Sequence, residues 1–322
     1  VTVEDDGAIY VVGATTGTVG EDEPNLGGSD AFIRKYDADG ELLWTRQFGT
    51  DHDDQARGVA AKNGAVYVVG NRYINKFDGN YQDAFLRTYE ADGTFVAEEL
   101  LETDSFDDLR GVAANDDGDV YVGGYAGGPF DDGFQDALIR KYDSEGNVLW
   151  TSEYGADNFE TVRRIALDGD ENVIAVGFSD PFFNPGNQEG FVVKFDSDGD
   201  FVWSNPVSYG SRDDVFDVDT DDEGSVYIVD STRLETPTTH NEFLLVKYDA
   251  DSDVQWSLPL SLTVSGITES LNAQGALVVR DVDDFYVAGH TIGALPDRTN
   301  AGSDDAFVLR IPSEGFEIPA PN

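Results

Sequence analysis

Short runs of apolar residues, separated by glycine-containing turns, follow one another along the whole chain. In residues 83–89 apolar and polar side chains alternate, and residues 65–70 are rich in β-branched and aromatic residues. Both patterns predict β-strands, and the helical period of 3.6 residues is missing from these units. Asp-Gly or Glu-Gly pairs stand between many of these runs, and their glycines accept the positive φ of tight hairpins. The pattern therefore predicts an all-β chain of antiparallel hairpins.

This pattern repeats six times at a nearly constant spacing. The phrase Asp-Ala-Phe-Ile-Arg-Lys-Tyr-Asp at residues 30–37 returns at intervals of 53, 53, 53, 53 and 63 residues. Its copies begin at Asp30, Asp83, Asp136, Glu189, Glu242 and Asp305. A second phrase, Ile-Tyr-Val-Val-Gly at residues 9–13, also occurs six times. A period near 50 residues, with four strands in each unit, predicts a six-bladed β-propeller with four antiparallel strands per blade.

The repeats fill all 322 residues, so a single propeller domain is predicted over residues 1–322. The blades are expected at approximately 1–50, 51–104, 105–157, 158–210, 211–265 and 266–322. Residues 1–3 align with the opening strand of a unit, and residues 316–318 align with a closing strand. Each blade is therefore expected to be contiguous in sequence, with residues 1–3 paired inside the first blade.

Two stretches carry a resemblance to a known family. They are Asp-Ala-Phe-x-x-Lys-Tyr-Asp-x-x-Gly-x-x-x-Trp and Gly-Val-Ala…Val-Tyr-Val-x-Gly, best seen from Asp83 to Gly124 and from Asp136 to Gly177. The units resemble the SBBP repeats of secreted or surface propellers from bacteria and archaea. The resemblance covers essentially the whole chain and implies the propeller fold, but it implies no shared catalytic residues. Trp at one position of the fourth strand is expected to pack, at Trp44, Trp150, Trp203 and Trp256.

The chain is strongly acidic, with 64 Asp and Glu against 20 Lys and Arg and a net charge of −44. Asp greatly outnumbers Glu, and Arg outnumbers Lys. This balance resembles proteins of extreme halophiles, in which molar salt screens self-repulsion to about 3 Å. Without a basic stripe, nucleic acid is not expected as a partner, and neither is an anionic membrane. No apolar stretch approaches the 18 residues of a membrane span, and the absence of Cys excludes disulfides and thiolate sites.

Variable loops on one face are the predicted binding region, because loops on a rigid scaffold commonly carry function. Three consecutive units have aromatic loops, in residues 71–82, 125–135 and 178–188. The candidate binding residues are Tyr73, Phe77, Tyr81, Tyr125, Phe130, Phe134, Phe178, Phe182 and Phe183. Such a cluster suits a glycan or a protein partner. Alternatively, the aromatic side chains pack their own loops onto the blades.

Blade five has Asp217 and Asp219 at positions where blades two and three have Gly and Ala. Residues two apart share a strand face, so two carboxylates would lie side by side near the propeller axis. A calcium or other cation between them would relieve the repulsion, and this is the candidate metal site. The alternative is an exposed acidic strand without a ligand. Phe216 also replaces the Arg that other units carry at its position.

Other polar features are interpreted as structural. The recurring acidic residue before the first strand, with an Arg three positions later, predicts the same ion pair or turn contact in each blade, although a ring of charges is the alternative. The Asp-x-Asp-Gly turns predict Asx-type turns rather than calcium loops, because two carboxylates are too few. The histidines His52, His240 and His290 are expected in loops on one face, as surface residues without a third metal ligand.

These observations favour a non-catalytic binding or assembly module of a halophile, extracellular or surface-exposed, that recognises a protein or a glycan through its loop face. Self-association is a further possible mode of assembly. Two alternatives stay open. One is a hydrolase or lyase that uses the carboxylates of blade five at the channel mouth, and the other is a structural subunit of a surface or viral assembly.

Overall fold

The computed structural model describes most of the chain and consists of strands, turns and bends. The described residues are 1–4, 6–20, 24–76, 79–101, 103, 106–127, 135–155, 158–180, 188–234, 240–259, 262–264, 267–269, 271–272, 277–281, 284–291 and 305–311. Six antiparallel sheets of four strands make an all-β, six-bladed β-propeller, as predicted. Among the described residues no helix could cross a membrane. The chain divides into two compact units, residues 1–162 and 163–322, with the boundary inside β13.

The N-terminal unit contains the first three blades. Blade one comprises β1 (Thr2–Val3), β2 (Ile9–Thr15), β3 (Asp30–Tyr36) and β4 (Leu42–Phe48). Blade two comprises β5 (Asp54–Lys62), β6 (Ala65–Lys76), β7 (Gly79–Glu90) and β8 (Phe95–Leu101). Blade three comprises β9 (Asp108–Ala114), β10 (Val120–Ala126), β11 (Asp136–Tyr142) and β12 (Val148–Tyr154). The strands pair in sequence order within each sheet.

The C-terminal unit contains the other three blades. Blade four comprises β13 (Phe159–Leu167), which spans the boundary, β14 (Val173–Asp180), β15 (Glu189–Phe195) and β16 (Phe201–Val207). Blade five comprises β17 (Asp213–Thr220), β18 (Val226–Leu234), β19 (His240–Tyr248) and β20 (Val254–Pro259). Strands β21 (Leu262–Val264) and β22 (Ile267–Glu269) form a separate hairpin. Blade six comprises β23 (Leu271–Asn272), β24 (Leu277–Asp281), β25 (Asp284–Thr291) and β26 (Asp305–Ile311).

Neighbouring blades within each unit pack through apolar cores. In the N-terminal unit, Tyr10 and Ile33 of blade one are fully buried against Val66 and Phe85 of blade two. In the C-terminal unit, one core joins blades four and five and another joins blades five and six. The alternating strand pattern therefore supplies apolar side chains to both faces of a blade.

The predicted hairpin turns and the packing of the tryptophans are confirmed. Gly40, at φ 84°, closes a turn in which Asp37 Oδ1 accepts the N–H groups of Asp39 (3.0 Å) and Glu41 (2.8 Å). This is the predicted Asx-type turn. Trp44 Nε1 donates to the carbonyl of Ala91, in the corresponding turn of the next blade, at 3.1 Å.

The pairing of the first strand bears out the contiguous first blade. Thr2 pairs with Tyr10 and Val3 pairs with Ile9, inside the first sheet. Residues 316–318, expected as the closing strand, lie outside the described residues. The predicted loop 71–82 is wrong for most of its length, because β6 continues to Lys76 and β7 begins at Gly79. The two strands pair along the hairpin, so these residues satisfy each other's backbone groups.

Candidate binding site on blades four and five

Blade five breaks the repeat at a second-strand position that is glycine in the other five blades. Asp230 stands there. A Cβ at the equivalent Gly70 of blade two would overlap the carbonyl oxygen of Gln55, and at Gly124 of blade three that of Asp108. Blade five nevertheless keeps the register of blade two, because Asp230 pairs with Val215 as Gly70 pairs with Ala56. The N–H of Asp214 donates to Asp230 Oδ1 at 3.1 Å.

Arg163, on the first strand of blade four, reaches across to blade five. Its Nε lies 2.9 Å from Asp214 Oδ1 and its Nη2 lies 2.6 Å from Asp214 Oδ2, a bidentate pair. The guanidinium carbon is 5.0 Å from the ring centroid of Phe178 and 5.1 Å from that of Phe216. The side chain of Arg163 remains 28% exposed. The result is a fixed Arg with two flanking aromatic rings and a solvent-accessible portion, which we call the Arg163 node.

Beneath the Arg163 node lies a buried pair of carboxyl groups, Asp213 and Asp230. Asp213 accepts the N–H groups of Tyr209 (3.0 Å) and Gly210 (3.2 Å). Burial raises the pKa of Asp230 well above its ordinary value, and the charges of Asp213 and Asp214 raise it further. This environment favours the protonated form of Asp230.

Two tyrosines connect this pair toward the surface. Tyr248 is buried, whereas Tyr209 is 40% exposed, and their hydroxyl groups are hydrogen-bonded. Burial raises the pKa of both hydroxyls. Both tyrosines therefore stay neutral, and they serve as hydrogen-bonding groups rather than bases.

The recurring acidic residues make the predicted turn contact. Asp54 Oδ2 accepts the N–H of Thr50 at 2.6 Å, and Asp107 Oδ2 accepts that of Thr103 at 2.9 Å. Asp213 makes the same kind of contact in blade five. Two of the recurring Arg residues pair with the Asp that follows the recurring acidic residue of the next blade. Arg57 Nε of blade two lies 3.7 Å from Asp108 Oδ1 of blade three. Arg163 of blade four pairs in the same way with Asp214 of blade five. Most of this charge pattern is therefore a repeated structural device.

The structure places three of the predicted aromatic residues. Tyr125 is buried, with its ring edge-on to Phe159 at 5.3 Å and Arg110 over its face at 5.5 Å. Tyr73 is half-buried, and Phe178 belongs to the Arg163 node. The side chains of Phe77, Tyr81, Phe130, Phe134, Phe182 and Phe183 lie outside the described residues. A binding role for the set stays a prediction, and Tyr125 in this structure contributes packing.

Asp217 and Asp219 each accept two backbone donors. Asp217 Oδ2 accepts the N–H of Leu277 and Asp219 Oδ2 accepts that of Val279, both at 2.7 Å and both on β24 of blade six. Their Oδ1 atoms accept the N–H groups of the residues that follow them, at 3.0 and 2.9 Å. Burial raises the pKa of both groups, to about 6 for Asp219. The predicted cation stays untested, and the structure gives the carboxylates a docking role between blades.

The structure describes the side chain of one of the three histidines, His52. His52 lies in a bend, where its Nδ1 is 2.6 Å from Asp51 Oδ1. His240 and His290 lie in strands β19 and β25, so their predicted placement in loops is wrong, and their side chains are outside the described set. Among the described residues no group of three or more His, Asp or Glu side chains could hold a metal ion.

A cleft of about 280 Å³ lies between blades one and two. Its polar lining includes Asp54 and an ion-pair network in which Glu98 bonds Arg72 at 3.2 Å and Arg87 at 2.9 Å. Phe48 adds an apolar wall. Burial raises the pKa of Asp54 to about 6. The cleft is small, and its charges largely neutralise one another.

Asp230 is not among the site residues predicted from the sequence, although the sequence carries a signal for it. The fifth copy of the second phrase ends Val-Asp where the others end in Gly, and the other five copies supply the comparison. Arg163 was noticed only as one member of a repeated set. Its distinctive feature, the flanking Phe216, depends on contact between two blades.

Comparisons with known proteins agree on the fold. No protein-family model matches the chain. The regulatory protein FlaEY of Caulobacter vibrioides is 27% identical over a region that covers 52% of this chain and 21% of that protein. The chain thus spans about a fifth of the length of that relative.

Solved structures with similar folds come from varied proteins. A protein of unknown function from Dyadobacter fermentans has a TM-score of 0.58 at 13% identity, covering 96% of this chain and 92% of that one. The Neurospora crassa Pan2 WD40 domain has a TM-score of 0.52 at 9% identity, covering 90% and 83%. A puromycin hydrolase has a TM-score of 0.53 at 12% identity, covering 99% of this chain and 46% of that one. At these identities the likeness defines the chain as a β-propeller and leaves its activity open.

Proposed function

We propose that this chain is a non-catalytic binding module that recognises a protein partner at the Arg163 node. The supporting observation is the partly exposed Arg163, fixed by Asp214 and flanked by Phe178 and Phe216. Arg and aromatic side chains dominate the binding energy of protein interfaces, and a preordered Arg loses little conformational entropy on binding. The node is also the place where blade five departs from the repeat.

The wider setting is part of the same proposal. The composition supports a halophilic origin, and the repeated phrases support an SBBP-type propeller that works outside the cell or at its surface. The relative in Caulobacter vibrioides is named a regulatory protein, and a regulatory role through binding fits the proposal. A surface glycan or a second copy of the chain is the alternative partner.

Affinity capture with matched variants tests the proposal. Wild-type chain, the double variant Phe178→Ser/Phe216→Ser, and the control Phe106→Ser are used as baits in about 2–3 M salt, which keeps charge repulsion screened. Phe106 is 39% exposed and belongs to the N-terminal unit, whereas all residues of the node belong to the C-terminal unit. Near-ultraviolet circular dichroism verifies that each bait is folded.

Quantitative mass spectrometry then compares the captured proteins. We expect a defined partner to be captured by wild type and by Phe106→Ser and to be lost with the double variant. Equal capture by all three folded baits would place recognition elsewhere on the propeller.

A further inference from the structure

The outer strands of the first five blades begin with exposed apolar side chains. In four blades two consecutive apolar residues open the strand, and in blade five one does. Each is between 41% and 58% exposed. They are Leu42, Leu43, Phe95, Val96, Val148, Leu149, Phe201, Val202 and Val254. A single exposed apolar residue is ordinary, but recurrence at one position in five blades is a built feature.

A β-bulge lies at the same place in each of these five blades. In blade one Lys35 pairs with Trp44 and Tyr36 pairs with Leu42, so Leu43 is the extra residue. The other four blades show the same register shift. A bulge re-aims side chains and interrupts the backbone ladder at a sheet edge. The outer strands are therefore poorly suited to backbone pairing with a β-strand of a partner. A partner would contact their exposed side chains instead.

An acidic turn stands directly before each apolar position. In blade four Asp196, Asp198 and Asp200 precede Phe201, and in blade five Asp249, Asp251 and Asp253 precede Val254. In each of these two turns the first Asp, Asp196 or Asp249, accepts two backbone N–H groups of the turn through its Oδ1. Each blade thus supplies one apolar element beside one carboxylate-rich element.

Contacts between blades order these elements into a series. Trp44 Nε1 donates to the carbonyl of Ala91, which sets the acidic turn of blade two against the outer strand of blade one. In the C-terminal unit Trp203 Nε1 donates to the carbonyl of Ala250 at 3.3 Å, in the same relation. Within each unit, apolar and acidic elements therefore alternate from blade to blade.

We propose that the outer strands form a docking surface for a basic amphipathic polypeptide segment. Apolar side chains of the segment would cover the exposed positions, and its Lys or Arg side chains would pair with the carboxylates of the turns. Charge complementarity selects this partner, because a second copy would bring acidic turns against acidic turns. Repetition over successive blades adds avidity for a segment long enough to span them. This surface is separate from the Arg163 node.

A labelled peptide of Leu and Lys, patterned as an 18-residue amphipathic helix, is the test probe. Fluorescence anisotropy is measured in 1 M NaCl, where the Debye length is about 3 Å and long-range attraction to the net charge is removed. The key variant is Leu43→Ser/Val96→Ser/Leu149→Ser. The matched control is Val278→Ser/Val308→Ser, which removes side chains 51% and 73% exposed in blade six.

We expect wild type and control to bind the Leu/Lys peptide, and the triple variant to bind at least about tenfold more weakly. Peptides with Ser for Leu, or with Glu for Lys, should also bind weakly. Equal binding by the triple variant, or equal binding of the Ser/Lys peptide, would overturn the proposal. A wild-type dimer in sedimentation that the triple variant loses would overturn it in favour of a second copy.

Discussion

At the scale of single residues, burial decides what each carboxyl group does. Burial is the largest influence on Asp54 and Asp107, and it raises the pKa of each to about 6. Asp143 lies in an exposed turn, where hydrogen bonds from Asn147 lower its pKa. Gly49 fits between two of the buried groups, since a Cβ there would lie 2.7 Å from Asp54 Oδ2 and 2.9 Å from Asp30 Oδ1. Burial at the blade junctions therefore stabilises the protonated form of Asp54 and Asp107 relative to an exposed Asp.

Asp54→Asn should flatten the pH dependence of stability. The pKa of Asp54 in the folded chain, about 6, exceeds the ordinary value of 3.8, so the folded state binds this proton more tightly. The stability gained is fully present below pH 3.8 and is lost as the pH rises through 6. Between pH 4 and pH 7 the variant should gain about 1–3 kcal/mol relative to wild type, measured by urea unfolding in high salt.

Asp143→Asn is the control of opposite sign. Because the pKa of Asp143 is lowered, its ionised carboxylate stabilises the fold at pH values above the ordinary pKa of 3.8. This contribution disappears as the pH falls. The control should therefore lose stability relative to wild type as the pH rises from 3 to 6. A wild-type pH profile for Asp54→Asn would show that Asp54 is not a titrating group in this range.

Ser252→Gly should stabilise the protein by about 0.5–1 kcal/mol. Ser252 has φ 76° in a turn where the equivalent residue of blade four is Gly199, with φ 86°. Only glycine adopts this conformation without strain, and the carbonyl of residue 252 that accepts a hydrogen bond from Asn205 is kept. The free energy of unfolding is measured in urea. The reverse change, Gly199→Ser, should destabilise by a similar amount.

At the scale of strands, β17 binds β24 through side chains. Asp217 and Asp219 accept the N–H groups of Leu277 and Val279, which places carboxylates where a neighbouring strand would place carbonyl groups. Asp217→Ala/Asp219→Ala should therefore lower the hydrogen-exchange protection of these two amides by about 1–3 kcal/mol. Amides of blade two serve as the internal reference. Unchanged protection would show that the two bonds do not hold β24.

The same double variant addresses the predicted cation. Titration calorimetry with Ca²⁺ should show reduced uptake in Asp217→Ala/Asp219→Ala if the two carboxylates bind it. Asp217→Asn/Asp219→Asn is the useful companion, because an amide oxygen still accepts N–H groups but lacks charge. Identical calcium uptake in wild type and both variants would remove the cation site.

The strand periodicity of the sequence predicted the blades, but it could not predict the contacts between blades. The alternation in residues 83–89 predicted β7 correctly, but the hairpin extension to Lys76 and Gly79 lacks that pattern. Asp217 was singled out because it differs from the repeat, yet its partner Leu277 lies 60 residues away. Pairing of this kind depends on how one blade packs on another, which a short sequence pattern does not encode.

At the scale of the whole molecule, charge should control stability. With a net charge of −44, repulsion is felt over about 10 Å in 0.1 M NaCl and over less than 3 Å in 3 M NaCl. We expect the thermal midpoint to be at least ~5 °C higher in 3 M NaCl, equivalent to about 3 kcal/mol. Scanning calorimetry measures this shift. Equal midpoints in the two salts would refute the halophilic interpretation.

The contiguity of the blades has a consequence for the gene. The sheet of blade one is complete within residues 2–48, because Thr2 and Val3 pair with the next strand along the chain. A duplication or deletion of 53 codons, cut at equivalent points between blades, would therefore change the number of sheets by one and sever none. Unequal crossing-over would produce such a change wherever the DNA that encodes two of the repeated phrases is similar enough to recombine. The coding sequence of such a propeller can thus lengthen or shorten by whole blades in a single recombination event.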